Sequence, residues 1–337
     1  MIMGFLDPYI LACPANLDDE DSIVSYVRKL ISWRDLKDKA WMELILPRTA
    51  SESLGSTNGF PPWQVLNDVL VKKDIGIQPS DVFTVLNALL NKGPTIEDLS
   101  GIREILLDDI VCQPDYSAGR RQVYIDEYQR LLGLISLFRT KTDMPPGLRQ
   151  LYTSNAPCPH DIEFSASLIE IEYSDPATAV PILPASIEDN LMGICCAVVA
   201  MKKADPLSIW ETAVSAADIK GAISLSVYQH ALANHMTVPH WTMGSHFVPS
   251  IMRMNVRSRA AGARILRACY ETILGLRLEG VHAIRTSIAG NSSQMKRGKD
   301  GAVRRDIDHE LHLHYWDTAN GPELACISPH NDFSIPE

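Results

Sequence analysis

The residues best suited to chemistry crowd one end of the chain. Nine of the ten histidines lie between His230 and His330, and four of them, His309, His312, His314 and His330, fall after residue 305. Read as a strand, residues 307–316 place Asp308, Glu310, His312 and His314 on one face. The other face shows Ile307, His309, Leu311, Leu313 and Tyr315. The apolar face is expected to bury and the polar face to line a cleft. Imidazoles change charge near neutral pH, so a pair can serve as acid and base. Such a pair cleaves RNA without a metal, because the 2′-hydroxyl is an internal nucleophile. Arg285, Lys296, Arg297, Arg304 and Arg305 stand nearby in sequence as phosphate-binding candidates. His312, His314, His330 and Tyr315 are the catalytic candidates. A metal reading of the same stretch uses His312 and His314 with Glu310 as ligands for zinc or manganese.

These residues sit in an unusual charge pattern. The 337-residue chain carries a net charge of −10, yet residues 251–305 hold twelve Lys and Arg against three acids. After Arg305 there are seven acids and no Lys or Arg. A basic segment inside an acidic protein either attracts phosphate or docks on the chain's own acids. If residues 250–274 form one helix, Arg253, Arg257, Arg264 and Arg267 fall within an arc of about 80° that would suit a nucleic-acid backbone. If Ser258 is instead an N-cap, only Arg264 and Arg267 remain on that helix.

A composition of 46% hydrophobic and 21% charged residues is that of a globular protein, which excludes rods and disordered tails. No apolar run reaches the length of a membrane span, and the apolar start lacks the basic flank of a signal peptide. Seven cysteines at irregular spacings, with no C-x-x-C pair, read as thiols in a reducing cytoplasm. The periodicity predicts a strand at 3–7, a helix at 18–33, a strand at 42–46, and helices at 62–72, 80–91, 96–110 and 120–138. Residues 142–160, rich in Pro, Ser and Asn, read as a linker or loop. Residues 162–173 alternate with a slip of phase, which implies a bulge. Helices are expected at 187–203 and 206–217, a strand at 240–247, and further strands at 282–287, 302–316 with a break near His309, and 323–328. The expected organisation is therefore a helix-rich α/β domain over 1–141, the linker, a central α/β segment over 161–248 that packs on the first domain, and a small α+β domain over 249–337.

Two stretches resemble known families. The segments KRGKDGAVRRDI, HLHYWDT and ELACISPHNDFSI are similar to the final strands of RelE-type ribonuclease toxins, over about 55 residues. That resemblance implies a small sheet that cuts RNA without metal, with Arg304 and Arg305 on the basic strand, Tyr315 on the central strand and His330 near the last. The family ends on a basic or tyrosine residue, where this chain has Asn331, Asp332 and Phe333. The opening strand that ends in Asp7, followed by a helix, a strand and Glu52, resembles PIN-like nucleases. That resemblance implies a carboxylate site for magnesium or manganese with Asp7 and Glu52 as its first members. Asp98, Asp108, Asp109, Asp161 and Glu170 are candidates for the rest. Asp218-Ile219-Lys220, with Glu211 before it, has the D-x-K pattern of a restriction-type site. No G-x-x-x-x-G-K-[ST], G-x-G-x-x-G or G-x-S-x-G motif occurs.

The expected function is a bacterial toxin or antiphage effector: a nuclease with no cofactor that acts on RNA in preference to DNA. The alternatives are a metal-dependent PIN-like nuclease, and a non-enzymatic subunit that binds nucleic acid or a partner protein in a defence complex, with no membrane partner.

Overall fold

The computed structural model describes residues 2–39, 41–91, 93–142, 149–153, 160–287 and 292–336. Most of the expected 142–160 linker lies outside them. The chain forms two compact units, Ile2–Lys203 and Ala204–Glu337. The 161–248 segment is therefore divided between them. Within the described residues the class is mixed α/β, with one six-stranded sheet in each unit. Among the described residues no helix is long and apolar enough to cross a membrane.

The first unit is built on strands β1 (Ile2–Leu6), β2 (Met42–Ile45), β3 (Ile102–Gln113), β4 (Arg149–Tyr152), β5 (His160–Tyr173) and β6 (Ala185–Ile194), in sheet order β2-β1-β4-β6-β5-β3. β2, β1, β4 and β6 run parallel, while β5 and β3 are antiparallel additions. Helix α1 (Glu20–Lys37) starts where Asp19 caps the Ser22 amide, and it buries Ile23, Val27, Leu30 and Trp33, a helical spacing. Gly4 lies against the ring of Tyr152, which a Cβ at that position would meet at 2.1 Å. Helices α2 (Ala50–Ser56), α3 (Trp63–Lys72), α4 (Pro79–Asn91) and α5 (Ile96–Ser100) follow β2. Helix α6 (Gln122–Lys141) contributes Leu131, Leu132, Ile135 and Phe138 to a core shared with Phe5, Phe164 and Leu168. α7 (Ala197–Lys203) closes the unit.

Two sequence expectations are corrected here. Residues 96–110 are a one-turn helix and a long strand, because Gly101 takes the left-handed conformation (φ 66°) that ends α5. The spacing of Ile102, Ile105 and Leu106 imitates a helix, but cross-strand pairing with β5 prevails. Residues 187–194 are strand β6: Ile187, Asp189, Leu191 and Gly193 are buried in alternation with exposed neighbours, a period of two that was present in the sequence. The phase slip near residue 169 holds. Leu106 pairs with Glu170 and Leu107 with Leu168, so Ile169 is the bulged residue.

The second unit opens with α8 (Pro206–Thr212) and α9 (Ala216–Ala233), the latter started by a Ser215–Asp218 capping box. Its sheet comprises β7 (Thr242–Met243), β8 (Val281–Ala283), β9 (Lys296–Arg297), β10 (Asp300–Asp306), β11 (Leu311–Thr318) and β12 (Gly321–Pro329). The order is β7-β12-β11-β10-β8, with β9 paired to β10. The long helix expected over 250–274 is two helices, α10 (Phe247–Met254) and α11 (Arg259–Ile273). Asn255 in the left-handed conformation (φ 51°) stops the first, and Ser258 caps the second. α11 packs on the sheet face that carries Arg305, and Ser250 of α10 accepts from the Ile327 amide, which protects the edge of β12.

Candidate functional site

Antiparallel pairing fixes which side chains meet. Arg304 of β10 stands opposite His314 of β11, and Asp306 opposite His312. On the other side of β11, Cys326 and Ser328 of β12 face His314 and His312. Directly opposed residues share a face, with Cβ atoms roughly 5 Å apart. Arg304, Asp306, His312 and His314 therefore converge on one side of the sheet. His330, just past β12, joins them, with its ring centroid 4.6 Å from that of His312.

This face is not an open cleft, contrary to expectation. His312 and His314 are both fully buried. The chain after β12 folds back over them. Phe333 lies on the Arg304 guanidinium at 4.8 Å, the Ser334 carbonyl is 2.8 Å from His314 Nδ1, and Trp316 Nε1 donates to the Pro336 carbonyl at 2.9 Å. Ile335 completes an apolar cluster with Ile284, Ala302, Trp316 and Ala325. Asp332 accepts from both the amide and the hydroxyl of Ser334, which folds the tail into a local turn. Beside this strap a cavity of about 400 Å³ opens between α10 and the tail, lined by His246, Arg253, Cys326, Ser328 and Asp332.

The electrostatics favour neutral imidazoles. Burial lowers His312 to about 4, and nearby Arg304 pushes in the same direction against Asp306. Burial also lowers His314, opposed by its bond to the Ser334 carbonyl. That carbonyl can only accept, so His314 carries its proton on Nδ1 and leaves Nε2 bare. Among the described residues, Nε2 of His314, both ring nitrogens of His312 and Nη1 of Arg304 are buried without a hydrogen-bond partner. His312 Nε2 lies 3.1 Å from Asp306 Oδ1 without forming a hydrogen bond. Buried polar atoms without partners are costly and uncommon. Four of them gather in this one cluster.

The remaining sequence candidates lie elsewhere. Arg305 points to the opposite face. There its guanidinium binds Glu271 (3.1 Å), Thr272 and the carbonyls of Leu276 and Arg277, so it anchors the end of α11. Tyr315 is on that face too, opposite Val303, with its hydroxyl pushed up to about 12 by burial. Arg297 is tied to Glu323 and Asp300 and stacks on Trp316. Lys296 is exposed on β9, and Arg285 is exposed with a bond to the Ser292 carbonyl. Arg264 pairs with Asp308 at 3.0 Å, and Arg267 is exposed on α11. Glu310 belongs to the turn before β11, beside His309 rather than with the buried imidazoles.

Asp7 is fully buried at the end of β1, where Arg120 (2.8 Å) and Thr153 (2.8 Å) both bind its Oδ2. Glu52 is exposed on α2. Asp98 belongs to the capping box of α5, Asp108 accepts from the Asp109 amide, and Asp161 and Glu170 are exposed on β5. Glu211 pairs with Arg259, and Asp218 caps α9. Among the described residues no group of three or more His, Cys, Asp or Glu is arranged to hold an ion. On the His312–His314 face the chemical groups are imidazoles beside a guanidinium.

Sequence reasoning missed the place of Asp306 beside the histidines and the cover that Phe333 and Ser334 give them. Asp306 shares the parity of Arg304 and was legible in the register. The strap contacts join residues about 20 positions apart and leave no local signal. Comparison of the chain with family models, with curated proteins and with solved structures found no match.

Proposed function

We propose that the chain is an RNA-cleaving effector whose acid–base centre, similar to that of RelE-type toxins, is His312, His314 and His330 with Arg304. One observation carries this reading: the buried, unpartnered nitrogens of His312, His314 and Arg304 on a single sheet face. His314 Nε2 would take the proton from the 2′-hydroxyl as it attacks phosphorus. His330 would give a proton to the departing 5′-oxygen. Arg304 would bind the charge that develops on the phosphoryl oxygens. The product is a 2′,3′-cyclic phosphate. The strap holds this face closed, so cleavage requires the tail to lift.

Labelled single-stranded RNA incubated in EDTA tests the proposal, with the wild-type chain and a strap-released variant, Phe333→Ser/Ile335→Ser. The released variant should cleave faster than wild type, and adding His314→Gln should remove roughly 10²–10⁴-fold of the rate. Absence of cleavage by either protein contradicts the proposal.

The full burial of His312 and His314 favours a second reading, a non-enzymatic subunit that binds nucleic acid or protein. In that case the released variant binds RNA in a salt-dependent way and cuts nothing.

A further inference from the structure

The first unit contains a second cavity, independent of the C-terminal face. It has a volume of about 730 Å³ and lies just beyond the carboxyl ends of β1 and β2, walled by the turn after β1, by α1, by α2 and by the start of α6. In the sheet, β1 is flanked by β2 on one side and β4 on the other, so the chain leaves β1 in one direction and returns on the opposite side. This is a topological switch point, where open parallel sheets form ligand crevices. The volume falls in the range of about 300–1,000 Å³ usual for small-molecule sites.

The lining is selective in its chemistry. It contains no Asp or Glu, although the whole protein is acidic. It contains two cations, Lys29 and Arg121, and four aromatic rings, Tyr9, Tyr26, Phe60 and Tyr124. Of the acids close by in sequence, Asp19 is occupied in capping α1 through Ser22, and three others are paired with cations. Glu20 and Asp21 at the start of α1 pair with Lys72 and Lys73, and Asp7 pairs with Arg120. The Lys29 side chain is half-buried, and its lowered pKa follows from desolvation. The carboxylate that acts on Lys29, Asp7, is already paired with Arg120; a half-buried ammonium in that position is costly, and an anionic ligand would relieve that cost. Arg121 fixes one edge of its guanidinium on the Thr57 carbonyl, which aims the rest of an otherwise exposed group. Phe60 remains exposed at the wall.

We infer that this cavity binds a mononucleotide-sized aromatic anion, with its phosphate on Lys29 and Arg121 and its ring against the aromatic wall. The inference does not rest on the RNA-cleavage reading, and it concerns binding only.

Calorimetric titration of the full chain with AMP, GMP, CMP and UMP, and with orthophosphate and adenosine as the separated halves, tests it. At least one mononucleotide should bind with Kd below about 1 mM, and more tightly than either half. Lys29→Met should weaken that binding by about tenfold or more. Arg121→Gln, a change at an exposed position, should weaken it too, and it keeps the test valid if Lys29→Met melts early. Three outcomes overturn the inference: none of the four mononucleotides binds, orthophosphate binds as tightly as any of them, or affinity is unchanged in Arg121→Gln and in a folded Lys29→Met.

Discussion

Between the Arg304 guanidinium and the Ser334 carbonyl, the His314 imidazole has one nitrogen engaged and one bare. Burial holds His314 and His312 neutral, and their shared environment sets a measurable pH dependence. His312 in the folded chain binds its proton only near pH 4, whereas an unfolded histidine does so near 6.5. Between those values the unfolded chain holds more protons, so stability increases as pH rises through the window and is lost on acidification. His314 and His230, both also lowered, act in the same direction. Carboxylates such as Asp332 and Glu323, whose values are lowered on folding, contribute stability that disappears only at lower pH, below their unfolded values of 3.8 and 4.5. A fall in the denaturant midpoint between pH 6.5 and 5, reduced in His312→Gln, is the expected result. A midpoint that is flat over that interval, and unaltered by the substitution, would mean that the imidazoles are not buried neutral groups.

The elements explain why neighbouring arginines have unlike roles. Arg304 and Arg305 are adjacent in sequence, so a strand sends them to opposite faces. Arg304 reaches the histidines, while Arg305 is buried at 3% exposure and caps the end of α11 through Glu271 and two carbonyls. Arg305→Ala would leave the buried Glu271 with only its longer contact to the exposed Arg277 (3.6 Å), at a cost of about 3 kcal/mol by urea denaturation. Replacing Arg305 and Glu271 together by Met and Leu should recover most of that loss. If Arg305→Ala instead weakened RNA binding and left stability intact, the assignment of faces would be wrong. The strands over 302–316 and 323–328, the break near His309 and the alternative cap at Ser258 were legible in residue pattern, whereas the strand expected over 240–247 shrinks to Thr242–Met243. The stop of the preceding helix at Met254 was not legible, since it depends on Asn255 adopting a left-handed conformation. Residues 102–110 misled for a different reason: an apolar spacing that suits a helix was overruled by a partner strand some sixty residues away.

At the scale of the whole chain, each unit places charge where local sequence could not reveal it. Asp7 stands at the end of β1 as expected, but its partners are Arg120 and Thr153, brought there by the fold. Removing its charge in Asp7→Asn should destabilise the first unit by about 3–5 kcal/mol, because Arg120 would remain buried without a counterion. Unchanged melting, together with loss of a manganese-dependent cleavage, would instead favour a carboxylate metal site. The acidic tail is the second case. Its composition suggested only charge, whereas Phe333, Ser334, Ile335 and Pro336 each contact the histidine face or its surroundings.

The internal-nucleophile chemistry can be read directly from an oligoribonucleotide that carries one 2′-deoxynucleotide, incubated with the strap-released variant in EDTA. Mass analysis should find 2′,3′-cyclic phosphate ends at ribose positions and an intact bond after the deoxy residue. Cutting at the deoxy position, or 5′-phosphate products, would contradict an imidazole-driven attack by the 2′-hydroxyl.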